Sequence, residues 1–166
     1  MDISYNHYVF SEEMASRLKR ISHSDDHKRF FRASGGELYT SLDDCLSSID
    51  SPVLIAVDKG EQSSQRNGSD NLRDSVSYCI IIAMPTNDSD TSTIHTAEIE
   101  SRDLLVQVRN VLVSRYGNRI PDYRFYPSGA IGDNFYGTVL EYSFESYPVF
   151  SVDSNYFYDE LQGEES

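Results

Sequence analysis

The stretch HSDDH holds two histidines, His23 and His27, four residues apart around Asp25 and Asp26. On a helix that spacing would bring both imidazoles to one face, as zinc ligands stand. Yet no Glu follows the first His in the zincin manner, the spacing supplies no third ligand, and Ser-Asp-Asp is equally the chemistry of a helix cap. The two cysteines, Cys45 and Cys79, could form a Cys-His nucleophile only beside His7 or His95. Cys79 stands among apolar residues, where a free cysteine behaves as a small hydrophobe, and Cys45 falls on the outer or flanking face of its predicted helix. Neither context offers the cationic surroundings that activate a thiol. Carboxylate pairs occur at Asp43-Asp44, Glu12-Glu13 and Glu98 with Glu100, but nothing aims any pair into one cleft, as glycoside chemistry requires. The G-x-S-x-G elbow and the G-x-x-x-x-G-K-[ST] phosphate loop are both missing from the sequence.

A second stretch, GAIGDNFYG at residues 129–137, sets three glycines around Asp133 and Asn134. A phosphate cradle needs glycines that feed a helix N-terminus, whereas these feed an alternating strand and contain no Lys or Arg. Asp-Asn between glycines is the makeup of a turn that demands positive φ, and we read the segment as that turn.

The elements that would position these residues follow from periodicity. Residues 6–21 carry Met14, Leu18 and Ile21 at helical spacing, and KRFFRA then has the aromatic density of a short extended segment. Leu38, Leu42, Leu46 and Ile49 predict a second helix over residues 37–49, ending before Pro52. VLIAV reads as a strand covered on both faces. Residues 59–74, polar and without periodicity, are expected to form a long functional or flexible loop. SVSYCIIIAM follows as a central strand, with Val76, Tyr78, Ile80, Ile82 and Met84 on one face and Cys79, Ile81 and Ala83 on the other.

Past the polar TNDSDTST, a long helix buries Ile94, Ala97, Leu104, Leu105, Val108, Val111, Leu112 and Tyr116, and stops at Gly117-Asn118 and Pro121. YRFYPSG predicts a strand. TVLEYSFES predicts a half-exposed, edge-like antiparallel strand with Leu140, Tyr142 and Phe144 inward and Glu141, Ser143 and Glu145 outward. The order predicts an α+β fold with one mixed, mostly antiparallel sheet flanked by helices. It occupies a single domain over residues 1–152, with an acidic, aromatic tail over residues 153–166.

Composition narrows the function classes. Fourteen basic residues stand against 27 acidic ones, a formal net charge of −13 that disfavours binding to a phosphate backbone. No apolar run approaches the roughly 20 residues that span a bilayer. The start, MDISYNHYVFSEEM, lacks the pattern of a secretory signal, so synthesis in the cytoplasm is expected. No cofactor is called for.

PVLIAVD, NGSDNLRDSVSYCIIIAM, the long helix and GAIGDNFYGTVLEYSFES together resemble small structural proteins from the tail-assembly regions of Bacteroidetes phages and prophages. The matching positions are Pro52, Asp58, Asn71 and Asp74 around the first two strands, then Gly129, Asp133, Asn134, Gly137, Tyr142 and Phe144. The likeness covers roughly residues 30–150 and departs in the Ser/Gln-rich stretch and the C-terminal tail. It implies a tail-terminator or tail-completion (neck) subunit: a non-enzymatic virion component, made in the bacterial host. Such a subunit forms a ring, expected to be a hexamer, at the head-proximal end of the tail, with tail-tube and neck or connector proteins as partners.

Loops projecting toward neighbours would carry the contacts, and the candidate residues are Glu61, Gln65, Arg66, Asn71, Arg73, Asp133, Asn134 and Tyr136. The rival expectation from the charge alone is an acidic inhibitor or nucleic-acid mimic that meets a basic host partner.

Overall fold

A computed structural model describes residues 5–34, 42–67, 71–87, 89–146 and 154–156. The chain runs through α1 (His7–Arg17), β1 (Phe30–Ser34), α2 (Leu42–Leu46), β2 (Val53–Asn67), β3 (Asn71–Pro85), α3 (Thr91–Tyr116), β4 (Tyr123–Pro127) and β5 (Phe135–Ser146). Five strands form one mixed sheet in the order β1-β2-β3-β5-β4, with β1 parallel to β2 and every other pair antiparallel. The α+β architecture expected from the sequence is therefore present, with β3 at the centre.

The two faces of β3 divide the core as the period-2 pattern requires. Ile80, Ile82 and Met84 join Leu54, Ala56, Leu140, Tyr142 and Phe144 under α1 and α3. Cys79, Ile81 and Ala83 join Val53, Ile55, Val57 and Val139 on the opposite face, under Leu42 and Leu46 of α2 and the Ile131–Phe135 turn. Residues 53–57 are buried throughout, which explains their unbroken apolar run.

α1 opens on an Asn6 side chain that accepts the Val9 N–H at 3.0 Å, and α3 on Asp90, whose carboxylate accepts the Ser92 N–H at 3.0 Å. Of the stripe read from its sequence, α3 buries Ala97, Leu105, Val108 and Leu112, while Ile94, Leu104, Val111 and Tyr116 are half-buried. Among the described residues no helix is long and apolar enough to cross a membrane.

Several expectations need correction. α1 ends at Arg17, because Leu18 turns extended; Ile21 still reaches the core, through the tight turn in which its N–H donates to the Leu18 carbonyl. Among the described residues the second helix spans Leu42–Leu46 and stops short of the predicted end at residue 49; residues 37–41 of that prediction lie outside the described residues, and Ile49 packs on the core beyond the helix. β5 is not edge-like. It lies between β3 and β4, so its outward Glu141 meets neighbours on both sides and keeps a side chain only 16% exposed. Of the predicted loop over residues 59–74, residues 59–67 and 71–74 are instead the outer halves of β2 and β3, and residues 68–70 lie outside the described residues. Of the predicted tail, only residues 154–156 are described, as a short 3-10 turn, and the rest lies outside the described residues.

Candidate assembly surface

Among the described residues, β1 accompanies β2 as far as the pair Ser34 and Asp58. There β2 bulges: Gly60 takes a φ of 66° that favours glycine, its N–H donates to Asp58 Oδ1 at 2.9 Å, and pairing with β3 resumes at Gln62 and Val76. From that bulge β2 and β3 continue as an antiparallel arm to the pair Asn67 and Asn71. The described pairing of β5 with β3 reaches the pair Asp74 and Ser146, so among the described residues the last three pairs of the arm form a two-stranded ribbon. Residues 61–66 are exposed, and no other described strand pairs with their outer edge. Ser64 Oγ donates to Asp74 at 2.5 Å across the ribbon, and Arg73 reaches Glu145 at 3.6 Å.

The eight residues named from the sequence separate into two groups. Glu61, Gln65, Arg66, Asn71 and Arg73 all lie on the arm, Asn71 by its backbone pairing with Asn67. Asp133, Asn134 and Tyr136 lie at the other end of β3. Tyr136 pairs with Met84, and the run from Arg73 to Met84 along one strand is about 36 Å.

At that far end, Ile131 and Phe135 exchange backbone hydrogen bonds of 2.8 and 3.1 Å around Gly132, whose φ is 59°. This is the turn predicted from the glycines. Asp133 is exposed at its tip, while the Asn134 carbonyl accepts both the N–H and the hydroxyl of Thr86, at 2.8 and 2.7 Å. Asn134 and Tyr136 are both half-buried, with Tyr136 packed against the core, so of the three Asp133 presents the most exposed side chain.

HSDDH is a bend rather than a helix, and the i, i+4 placement of His23 and His27 does not arise. His23 Nδ1 accepts the Arg29 N–H at 3.0 Å and its Nε2 stands 3.6 Å from Glu12, while the His27 backbone closes a turn with Ser24. His23 and Glu12 line a cavity of about 570 Å³ beside β1, together with Lys28, Arg32 and Cys45. Arg32 reaches Glu12 at 3.5 Å, so opposite charges in the cavity already face each other. Among the described residues no three His, Cys, Asp or Glu side chains converge as metal ligands.

The supposed Cys-His pair is divided by the sheet. His7 Nε2–H donates to the Cys79 carbonyl at 3.0 Å on the α1 face, whereas the thiol lies on the other face, 3.7 Å from Glu141 Oε2. Burial pushes the Cys79 thiol up to about 11, the reverse of activation. Cys45 is exposed on α2.

Glu141 gathers charges that sequence distance hides. Its carboxylate accepts from Arg124 at 2.7 Å, Tyr126 at 2.9 Å and Lys59 at 3.1 Å, drawn from β4, β4 and β2. Burial opposes ionisation, but the donors of Lys59, Tyr126 and Arg124 together hold this carboxyl below the usual range. All its oxygens are engaged, and it acts as a clasp across three strands at the root of the arm.

The arm itself escaped sequence reasoning because polar Ser and Gln residues give no alternation to read. One signal was available in the sequence: Asn-Gly at residues 67–68 is a dipeptide that favours a turn. A comparison with protein-family models and with curated proteins found no match.

Proposed function

We propose that this chain is a non-enzymatic structural subunit of a phage particle, a tail-terminator or tail-completion (neck) protein. It associates with its own copies into a ring, expected to be a hexamer, at the head-proximal end of the tail. The observation that carries this reading is the arm. A two-stranded ribbon is marginally stable in water by itself, and an open strand edge invites another strand or surface to cover it. Residues 61–66 leave that edge exposed beyond the last residue of β1.

A head-to-tail ring also needs two different surfaces on each subunit. The arm and the Asp133 turn supply two, at opposite ends of β3. The family resemblance of residues 30–150 agrees with this use.

An acidic mimic would need carboxylates gathered in one exposed stripe. Instead, Glu13 pairs with Arg115, Glu100 with Arg20, Glu145 with Arg73 and Glu141 with Arg124, spread over α1, α3 and β5.

The test compares the wild-type chain with a variant in which an Asn-Gly turn joins Ser64 directly to Asp74, a cross-strand pair. That deletion leaves every β3 to β5 pair intact. Light scattering and electron microscopy, with and without tail-tube protein, should show rings or tube binding for the wild type and none for the variant. Absence of both in the wild type over a wide concentration range would overturn the reading, as would unaltered assembly of the variant. Binding to a basic protein that weakens steeply with salt would support the mimic instead.

A further inference from the structure

His7 is the first residue of α1 and is only 4% exposed. Because a carbonyl can only accept, the 3.0 Å contact with the Cys79 oxygen assigns the proton to Nε2 and leaves Nδ1 bare. The hydroxyls of Tyr5 and Tyr142 each stand 3.0 Å from Nδ1 and 2.5 Å from each other. Two hydroxyl protons thus meet two acceptors. One hydroxyl donates to Nδ1, and the other donates to the oxygen of the first.

A proton added to Nδ1 breaks this match. The new N–H would donate to one hydroxyl, which must turn toward the second, and the proton of the second is left without an acceptor in the network. A cation would also be buried, at the end of α1 where the helix dipole disfavours it.

The groups facing His7 offer little relief. Tyr8 is on α1, Tyr78 on β3 stacks against the ring at 4.6 Å, Tyr142 is on β5, and Tyr116 of α3 lies against Tyr5. Asp58 of β2 and the backbone carbonyls of Cys79 and Val57 favour the cation. Burial outweighs them and lowers His7 to about 4.

We propose that His7, Tyr5 and Tyr142 form an acid-released latch that holds Tyr5 and α1 against the sheet. Tyr5 is the wedge: it stacks on Phe144 at 4.0 Å and meets Tyr78 and Tyr116 edge-on, so its release uncovers an aromatic surface. The undocked imidazole titrates near its ordinary 6.5 and binds protons more readily than the docked one. Docking is therefore at full strength above pH 6.5, weakens about tenfold per pH unit below it, and levels off beneath pH 4, a change of up to about 300-fold.

The test follows the full chain by NMR from pH 7.5 to 3.5, reading the His7 ring nitrogens and hydrogen exchange of α1 amides corrected for intrinsic rates. The expected result is an Nε2–H tautomer at pH 7 and an α1 opening constant that climbs between pH 6.5 and 4, while β3 and β5 amides stay protected. His7→Gln, which keeps a donor for the Cys79 carbonyl and an acceptor for a hydroxyl, should abolish that climb. The latch is overturned if His7 of the folded chain titrates near 6.5, if α1 opens equally at pH 7 and pH 4, or if folded His7→Gln keeps the wild-type acid profile. Should His7→Gln fail to fold, the wild-type titration decides alone.

Discussion

Gly137→Ala tests why β5 can lie against β3. An added Cβ would stand 1.9 Å from the Ile82 carbonyl oxygen and 2.7 Å from the Ala83 Cα, both backbone atoms that no side-chain rotation can remove. Real Cβ contacts stay beyond 3.0 Å, so the strands must part by about 1 Å. Two ladder hydrogen bonds would stretch from about 2.9 Å toward 4 Å and fail, at about 1 kcal/mol each. Loosened packing around Ile82 and Ala83, both 0% exposed, adds about 1–3 kcal/mol. The expected loss is about 3–5 kcal/mol, a large part of a typical domain's stability.

Gly129→Ala is the control from the same stretch. Its φ is 69° and its Cβ would meet nothing within 4 Å, so only backbone strain of about 1–2 kcal/mol is expected. Urea unfolding followed by circular dichroism at pH 7 measures both. A Gly137→Ala loss no larger than that of Gly129→Ala would refute the close approach of the two strands.

Other consequences are measurable in the same protein. Glu141→Gln should cost about 1–2 kcal/mol at pH 7, since it removes the charge shared by Lys59 and Arg124. Because the folded carboxyl titrates below its ordinary 4.5, the wild-type advantage is whole above that value and fades as pH falls through the lowered one. The gap between the urea midpoints of the two proteins should therefore be smaller at pH 3 than at pH 7. A thiol reagent at pH 8 should modify Cys45 quickly and Cys79 only on unfolding, since Cys45 is exposed and Cys79 buried with its thiol raised to about 11. Mass spectrometry of native and denatured samples counts the labels.

Much of the fold was legible because the signals were local. The stripe of α3, the two faces of β3 and the buried run of residues 53–57 each lie within one element, where a period of 3.6 or 2 sorts side chains without knowledge of the partner. The turn at Gly132 was legible for the same reason, since its positive φ is a property of a few adjacent residues. The arm was not, because exposed strand residues have no buried face to impose a pattern. Gly137 was read as part of the same turn, yet what requires glycine there is the backbone of β3, 54 residues earlier in the chain.

By itself, then, the sequence determined the elements that bury a face, namely the long helix α3 and the inner halves of β2, β3 and β5, and which of their faces are apolar, because these depend on neighbours along the chain. Tertiary structure alone decided that β5 is interior and that His7 meets Tyr142 on one side of the sheet, 135 residues away, while Glu141 meets Lys59, 82 residues away, on the other. Those contacts follow from strand order and register, which bring distant polar groups into one low-dielectric space where each must find a partner.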